Sequence, residues 1–271
     1  MSNFKSEDVA SVVFAAGKGS RMVGYEGNKT LLPLIAGASA YEGSHPLLVQ
    51  VLSCLPPGPK GIVVNYRREE VRKATQDFGA AYILQPDTNG TGGALLAARS
   101  FLESVSRDAV VITMGDVPLI RPGTYQRLVQ KLEVNEFVIL AFSPEDKAQY
   151  GMLEMEGSRV ISIVEWKYWR DYSPERREAL RFCNAGVYAA GRVNLIKYLD
   201  RLAGRPHHVR KQRGDQWVEI EEFFLTDLVE MMGEDRVPTG IVEASEDEVM
   251  GVDTPEALRL AQLRYAERSS V

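Results

Sequence analysis

Ala15–Ala16–Gly17–Lys18–Gly19–Ser20–Arg21–Met22 follows the apolar run Val9–Ala15 directly. Small residues at such a junction let the backbone approach a ligand closely, and the amides of the turn and of a helix start can face phosphate oxygens. Lys18 and Arg21 add charge-assisted contacts to a polyphosphate. Taken alone, the segment also fits an ordinary glycine-rich turn. It is not a Walker loop, because Gly-Lys-[Ser/Thr] is absent at the required spacing, and Gly17-x-Gly19 lacks the third glycine of the dinucleotide fingerprint. A second segment, Met114–Gly115–Asp116–Val117–Pro118–Leu119, puts a carboxylate at the carboxyl end of an apolar run. Open α/β sheets bind ligands there, and such a carboxylate can hold Mg²⁺ beside bound phosphates or simply cap the next turn. Gly251–Val252–Asp253–Thr254–Pro255 has a similar form. Asp253 is either a second metal ligand or part of a helix start. Gln85 to Gly93 reads Q-P-D-T-N-G-T-G-G. The Gln85 amide can read a base edge and Gly90 can let a base lie against backbone, although an ordinary strand–helix loop has the same form. No Ser/His/Asp or Cys/His set is evident. His207–His208 reads as part of a solvated loop, and Trp166 and Trp169, flanking Lys167, read as packing residues with sugar stacking as the alternative.

These segments need a scaffold that brings strand ends together. Val9–Ala15, Gly61–Tyr66, Ala80–Leu84, Asp108–Met114 and Glu136–Phe142 are short apolar runs that read as buried strands. Helical stretches lie between them at Glu69–Phe78, Gly92–Glu103 and Pro122–Glu133. In the last, Tyr125, Leu128, Val129 and Leu132 mark one face at helical spacing. The alternation predicts βαβ units and an α/β fold with a mixed, mostly parallel, Rossmann-like sheet flanked by helices. The β-rich middle, Gly151 to Glu165, breaks the rhythm, with a hairpin turn at Glu156–Gly157–Ser158 and a smaller β-rich lobe expected around it. Thr254 as N-cap and Pro255 at the first helical position open a closing helix. Residues 36–45 and 204–214 look like insertions. The chain reads as one domain, 1–271, divided at about 143 and about 250, with the closing helix in 251–271.

Composition removes several function classes. The 271 residues are 45% hydrophobic and 25% charged, with a formal net charge of −5. A nucleic-acid binder would carry a basic surplus. No apolar run approaches the roughly 18 residues of a membrane span. Met1 to Glu7 is polar and acidic, without a signal-peptide pattern. Cys54 and Cys183 lack metal or redox spacing, which suits a reducing compartment and a cytoplasmic location. Three histidines argue against a His-based zinc site.

Taken in order, Ala15–Met22, Lys29, Gln85–Gly93, Gly115–Leu119, Tyr150–Gly151, Ile163–Glu165, Asn184–Ala185–Gly186 and Leu225–Thr226–Asp227 form a pattern. From about residue 9 to 266 the chain resembles the uridyltransferase domain of the bifunctional N-acetylglucosamine-1-phosphate uridyltransferase/glucosamine-1-phosphate acetyltransferase family. The resemblance implies a Mg²⁺-dependent nucleotidyltransferase that makes a nucleotide sugar and pyrophosphate from an NTP, UTP first, and a sugar 1-phosphate, with no nucleic acid or membrane partner. Ala15, Ala16, Gly17 and Lys18 would hold the triphosphate. Arg21 would be the catalytic arginine and Lys29 the phosphate-binding lysine, although the family's Pro–Lys is Asn28–Lys29 here and stands one residue later. Gln85, Gly90 and Thr91 match the base site, where Thr88 replaces a second glutamine. Asp116 matches the first Mg²⁺ ligand and a catalytic position, and Asp253 stands for an asparagine as the second. Gly151, Glu165, Asn184 and Thr226 match the side that holds the acetamido sugar phosphate. That family continues into hexapeptide repeats, whereas this chain stops at Val271, so the expectation is the nucleotidyltransferase half without acetyltransferase activity. A nucleotide-sugar-binding module without turnover, or a transferase using CTP or another NTP, is the alternative.

Overall fold

The computed structural model describes residues 9–213 and 216–269. Met1–Glu7 and the Gly214 end of the second insertion lie outside the described residues. β1 (Val9–Ala15) leads through β2 (Pro33–Ala36) and β3 (Gly43–Pro46) into α1 (Leu47–Cys54). β4 (Lys60–Val64), α2 (Arg68–Ala74), β5 (Ala81–Leu84), α3 (Gly90–Ala97) and α4 (Arg99–Ser104) follow. Next come β6 (Ala109–Met114), α5 (Pro122–Lys131) and β7 (Phe137–Phe142). A hairpin of β8 (Met152–Glu156) and β9 (Arg159–Val164) turns at Gly157, as its Glu-Gly-Ser predicts. The short helices α6 (Trp166–Trp169) and α7 (Pro174–Ala179) precede β10 (Cys183–Gly191) and α8 (Arg192–Ala203). A second hairpin, β11 (His207–Arg213) and β12 (Gln216–Glu222), precedes α9 (Thr226–Glu234), β13 (Thr239–Glu243), α10 (Glu246–Val249) and α11 (Pro255–Ser269).

The main sheet runs β13-β7-β10-β6-β1-β4-β5, with β8 paired to β10 and β9 to β8. β1 is parallel to β4 and β6, β4 to β5, and β7 to β13, whereas β10 is antiparallel to β6 and β7. This is the mixed, mostly parallel sheet that the alternation predicts. The chain moves outward from β1 to β4 and β5, then crosses back to β6 on the other side of β1. Such a reversal opens a crevice at the carboxyl ends of the strands.

Both faces of the sheet are covered, which is why its central strands are unbroken apolar runs rather than alternating ones. Val9 and Val13 of β1 pack with Leu48, Leu52 and Tyr125 on one face, while Val12 and Phe14 pack with Leu95, Leu102 and Leu199 on the other. A third cluster joins Leu34 and Leu47 to Leu258 and Ala261 of α11. Gln262 of that helix donates to Pro33 O and Ala40 O, both at 2.8 Å, and so clamps the 36–45 insertion.

Two expectations are corrected. No helix follows the glycine-rich loop: residues 20–24 form a turn in which Met22 N–H donates to Gly19 O at 2.9 Å. Gly19 and Gly24, at φ +67° and +81°, take left-handed conformations that leave the helical path. The β-rich middle is the β8–β9 hairpin, which joins the main sheet through Cys183↔Met152. His207 and His208 belong to a strand, paired with Glu222 and Glu221 in a two-stranded sheet, rather than to a loop. Among the described residues, no helix is long and apolar enough to cross a membrane.

Candidate active site

The centre of the crevice is built around Lys29. Asn28 is buried and caps the 3₁₀ turn Lys29–Leu31, accepting from Thr30 N at 3.0 Å and from Thr30 Oγ1 at 2.8 Å. Its Nδ2 donates to Tyr66 O at 2.8 Å and to Ala15 O at 3.3 Å, which ties the turn to the end of β1. A Cβ on Gly19 would lie 2.7 Å from Lys29 Cβ, so only glycine lets the two segments meet. Lys29 Nζ donates to Asp116 Oδ2 and to Asp253 Oδ1. Burial alone would push this ammonium down, but the two carboxylate charges and their hydrogen bonds prevail and hold it above the ordinary lysine value. Arg21 reaches the other oxygen of Asp253 at 2.9 Å.

Two sets of hydrogen bonds, one from the backbone and one to a side chain, bring Asp253 to Asp116. Val252 N–H donates to Asp116 O at 2.9 Å. Glu248 of α10 is buried and accepts from Arg121 N–H at 3.0 Å and from the Thr124 hydroxyl, capping α5 from a distant part of the chain. The cap of α11 falls to Thr254, whose Oγ1 accepts from Ala257 N–H at 3.2 Å. The Asp253 carboxylate is therefore not spent on capping, and it faces Lys29 and Arg21.

Two clefts meet here. One, of about 310 Å³, is lined by Ala15, Ala16, Gly17 and Lys29 on one side and by Gln85, Thr88, Gly90 and Thr91 on the other. Gln85 is buried, and its Nε2 donates to Asn89 Oδ1 at 3.0 Å and to Gly90 O at 3.2 Å. Both amide protons are thus engaged, and the carbonyl oxygen remains for a ligand. Gly90, at φ +95°, lies so close to Phe223 that a Cβ would come within 2.3 Å of the Phe223 carbonyl oxygen. Gly92 N–H donates to that same oxygen at 2.8 Å, and Leu225 N–H to Thr91 Oγ1 at 3.2 Å. Lys18 lines neither cleft; it is exposed, with Nζ 5.8 Å from the Tyr66 ring centroid.

The other cleft, of about 680 Å³, is lined by Arg21, Asp253, Asn184, Tyr150 and Glu246, among others. Met114 and Asp116 line both clefts. Gly151 and Glu165 stand behind Asn184. Gly151 O accepts from Asn184 N–H at 2.9 Å, and a Cβ on Gly151 would lie 3.6 Å from either Glu165 carboxylate oxygen. Burial pushes the Glu165 carboxyl up, and the charge of Asp227 adds to this while Lys167 opposes it. Thr226 opens α9 and lines neither cleft; its neighbour Asp227 bonds His207 at 2.7 Å. Trp169 is buried, with Nε1 donating to Tyr150 O at 2.8 Å, so it packs as expected.

The sequence carries no signal for Glu222, Glu246 and Tyr188, and it shows Asn28 and Tyr150 without a role of their own. Asn28 carried one signal, a polar residue directly before Lys29 where the resembled family has proline. Glu222 lines the first cleft only because β12 ends there.

The donor set suits a hard divalent cation. Two carboxylates from separate loops already meet at one cationic nitrogen, and Mg²⁺ is commonly held by one or two carboxylates with substrate phosphates and waters completing its shell. Among the described residues there is no group of three or more His, Cys, Asp and Glu that would hold a metal without such help.

Comparison with known proteins shows the family and the fold. Residues 11–214 match the model of the MobA-like NTP transferase domain. The bifunctional protein GlmU of Ruegeria pomeroyi is 31% identical over 265 residues, covering 96% of this chain and 53% of that protein. GlmU of Rhodopseudomonas palustris is 31% identical over 268 residues, covering 94% of this chain and 54% of that protein. The chain spans about half the length of the curated relatives it matches. Among solved structures, the uridine diphosphate N-acetylglucosamine pyrophosphorylase of Trypanosoma brucei superimposes with a TM-score of 0.70 at 15% identity, covering 94% of this chain and 65% of that one. A CMP:2-keto-3-deoxy-manno-octonic acid synthetase complexed with CTP gives 0.64 at 16% identity, covering 96% and 99%. Both share the fold.

Proposed function

The chain belongs to the MobA-like NTP transferase family, and from that premise we propose that it joins UTP to a sugar 1-phosphate of the N-acetylglucosamine type, releasing pyrophosphate. One observation carries this reading: Asp116, Asp253 and Lys29 converge where two clefts share Asp116. One cleft would take the nucleotide and the other the acceptor, so their shared wall is where the two phosphates must meet. In this division the nucleotide half would run to about residue 143, the acceptor part from about 144 to about 250, and the closing segment from 251 onward.

An oxygen of the acceptor phosphate attacks the α-phosphorus in line. The new P–O bond forms as the bond to the bridging oxygen breaks, and its electron pair leaves with pyrophosphate. Such transfers depend on positioning and charge neutralisation rather than on a covalent intermediate. Mg²⁺ held by Asp116 and Asp253 would neutralise charge on phosphates that otherwise repel. The backbone of Ala15, Ala16 and Gly17 lies against the triphosphate, with Lys18 at its outer rim. Arg21 and Lys29 stabilise the charge that moves onto pyrophosphate. The Gln85 carbonyl oxygen accepts the N3–H of uracil, while Gly90 and Thr91 form the wall behind the base and Thr88 its edge. On the other side Asn184, Gly151 and Glu165 hold the sugar, with Thr226 behind them.

The test is pyrophosphate release from each NTP with Mg²⁺ and a panel of sugar 1-phosphates. UTP with N-acetylglucosamine 1-phosphate should be the fastest pair. Preference for CTP would move the base assignment, since the cytosine 4-amino group can also donate to Gln85, and would leave nucleotidyl transfer standing. Release from no pair would favour a binding module without turnover.

A further inference from the structure

We propose that the Tyr188 hydroxyl is a positioning group for the acceptor, holding the Asn184 carboxamide so that one donor and one acceptor face the cleft. This rests on the reading of Asn184 as an acceptor-side residue.

The argument begins with a break in β10. Asn184 pairs with Ala141 of β7 and Tyr188 with Ile139, so two extra residues bulge out between them. Gly186 sits in that bulge at φ +73°, a conformation that favours glycine. The bulge turns Asn184 and Tyr188 toward each other. Asn184 Nδ2 donates to the Tyr188 hydroxyl at 2.8 Å, and Asn184 Oδ1 accepts from Gly186 N–H at 3.0 Å. A carboxamide has two donor protons and two acceptor lone pairs. One of each is engaged here, and one of each is left for the cleft that Asn184 lines. Turning the amide over would set Nδ2 against the Gly186 N–H, donor against donor.

Tyr188 itself is rigid. It is 2% exposed, and its ring lies 5.5 Å from that of Phe137. A purely apolar residue would fill this place in the core equally well, so the hydroxyl is what distinguishes tyrosine here. Burial, with the Glu165 charge adding to it, pushes the phenol pKa up, so the group stays neutral and hydrogen-bonding at ordinary pH. The same surroundings contain the rest of the acceptor side, because Asn184 N–H donates to Gly151 O and Gly151 faces Glu165.

Tyr188→Phe tests this, since it removes the hydroxyl and keeps the ring. Pyrophosphate release is followed with the fastest NTP and sugar 1-phosphate pair of the panel above, UTP with N-acetylglucosamine 1-phosphate being the pair expected. The acceptor KM should rise about three- to tenfold, the range for losing one hydrogen bond, while the NTP KM stays at the parent value and the Tm falls by no more than about 2–4 °C. In an Asn184→Ala background the same substitution should change nothing further, because the amide it positions is gone. An unchanged acceptor KM in Tyr188→Phe would overturn the inference. So would an effect that persists undiminished without Asn184, or one that raises both KM values alongside a larger fall in Tm. A parent chain that releases pyrophosphate from no pair would overturn the functional reading, and this inference with it.

Discussion

Replacing Lys29 with methionine keeps most of the side-chain volume and removes the charge that Asp116 and Asp253 share. Their carboxylate oxygens both bond one nitrogen, so they lie within about 5 Å of each other, roughly two hydrogen-bond lengths. At an effective dielectric near 20, two like charges at that separation repel by about 3 kcal/mol. Breaking a buried ion pair from one side costs about 3–5 kcal/mol, but the Asp253 side chain is 37% exposed and keeps Arg21 as a partner, so water and Arg21 reduce the loss. About 2 kcal/mol remains, which for a chain of this size is a fall in Tm of about 4–8 °C. The Lys29 pKa is raised in the fold, so its contribution is complete below the ordinary lysine pKa and is lost only as pH rises through the higher folded value. Measurements between about pH 6 and 9 therefore compare a fully charged lysine with none. The assay is thermal unfolding of parent and Lys29→Met with and without Mg²⁺. Added Mg²⁺ should restore stability to the variant far more than to the parent, because it replaces the missing cation between the two carboxylates. A variant that melts with the parent and gains nothing more from Mg²⁺ would refute the argument.

Arg21→Ala should lower kcat by about 10²–10³, as expected for one lost donor to developing charge, with little change in nucleotide binding; a rise in KM at constant kcat would remove Arg21 from the catalytic group. Asp253→Asn should keep substantial activity and raise the Mg²⁺ requirement, whereas Asp116→Asn, which alters the residue common to both clefts, should lose far more; rate against Mg²⁺ concentration checks the order. Thr88→Gln, in the nucleotide cleft, should sharpen choice among the pyrimidine triphosphates by about 0.5–1.5 kcal/mol, one hydrogen bond to a base edge, and an unchanged ratio of kcat/KM values would show that position 88 does not read the base.

Much of the fold was legible because the sheet is covered on both faces. β1, β6 and β7 are continuous apolar runs bounded by turn residues, and their predicted limits hold to within a residue. β11 and β12 were missed for the opposite reason. They form a two-stranded sheet of their own, rich in charged residues, so no hydrophobic period marks them. The candidate site was legible in Gly17 and Asp116, which stand just beyond the ends of β1 and β6. It was not legible at Arg21, where the habit of strand followed by helix gives way to two left-handed glycines. Nor does local spacing hint that Lys29 bridges Asp116 and Asp253, since that contact is made entirely by tertiary folding.

The tie from Val252 to Asp116 has a consequence for the order in which the chain matures. Lys29 and Asp253 stand 224 residues apart, so the charge cluster closes only after the segment carrying Asp253 has emerged from the ribosome. β1, β4, β5 and β6 can pair earlier, and the cradle for the nucleotide can take shape on them. Until α10 has docked against α5 and brought its loop across, that cradle has one carboxylate and no second. Contacts of such long range are slow to form, because the entropy of closing the loop must be spent before they return anything. A nascent or truncated chain ending before Asp253 would therefore bind without turning over, and the onset of pyrophosphate release during synthesis would serve as a clock for completion of the fold.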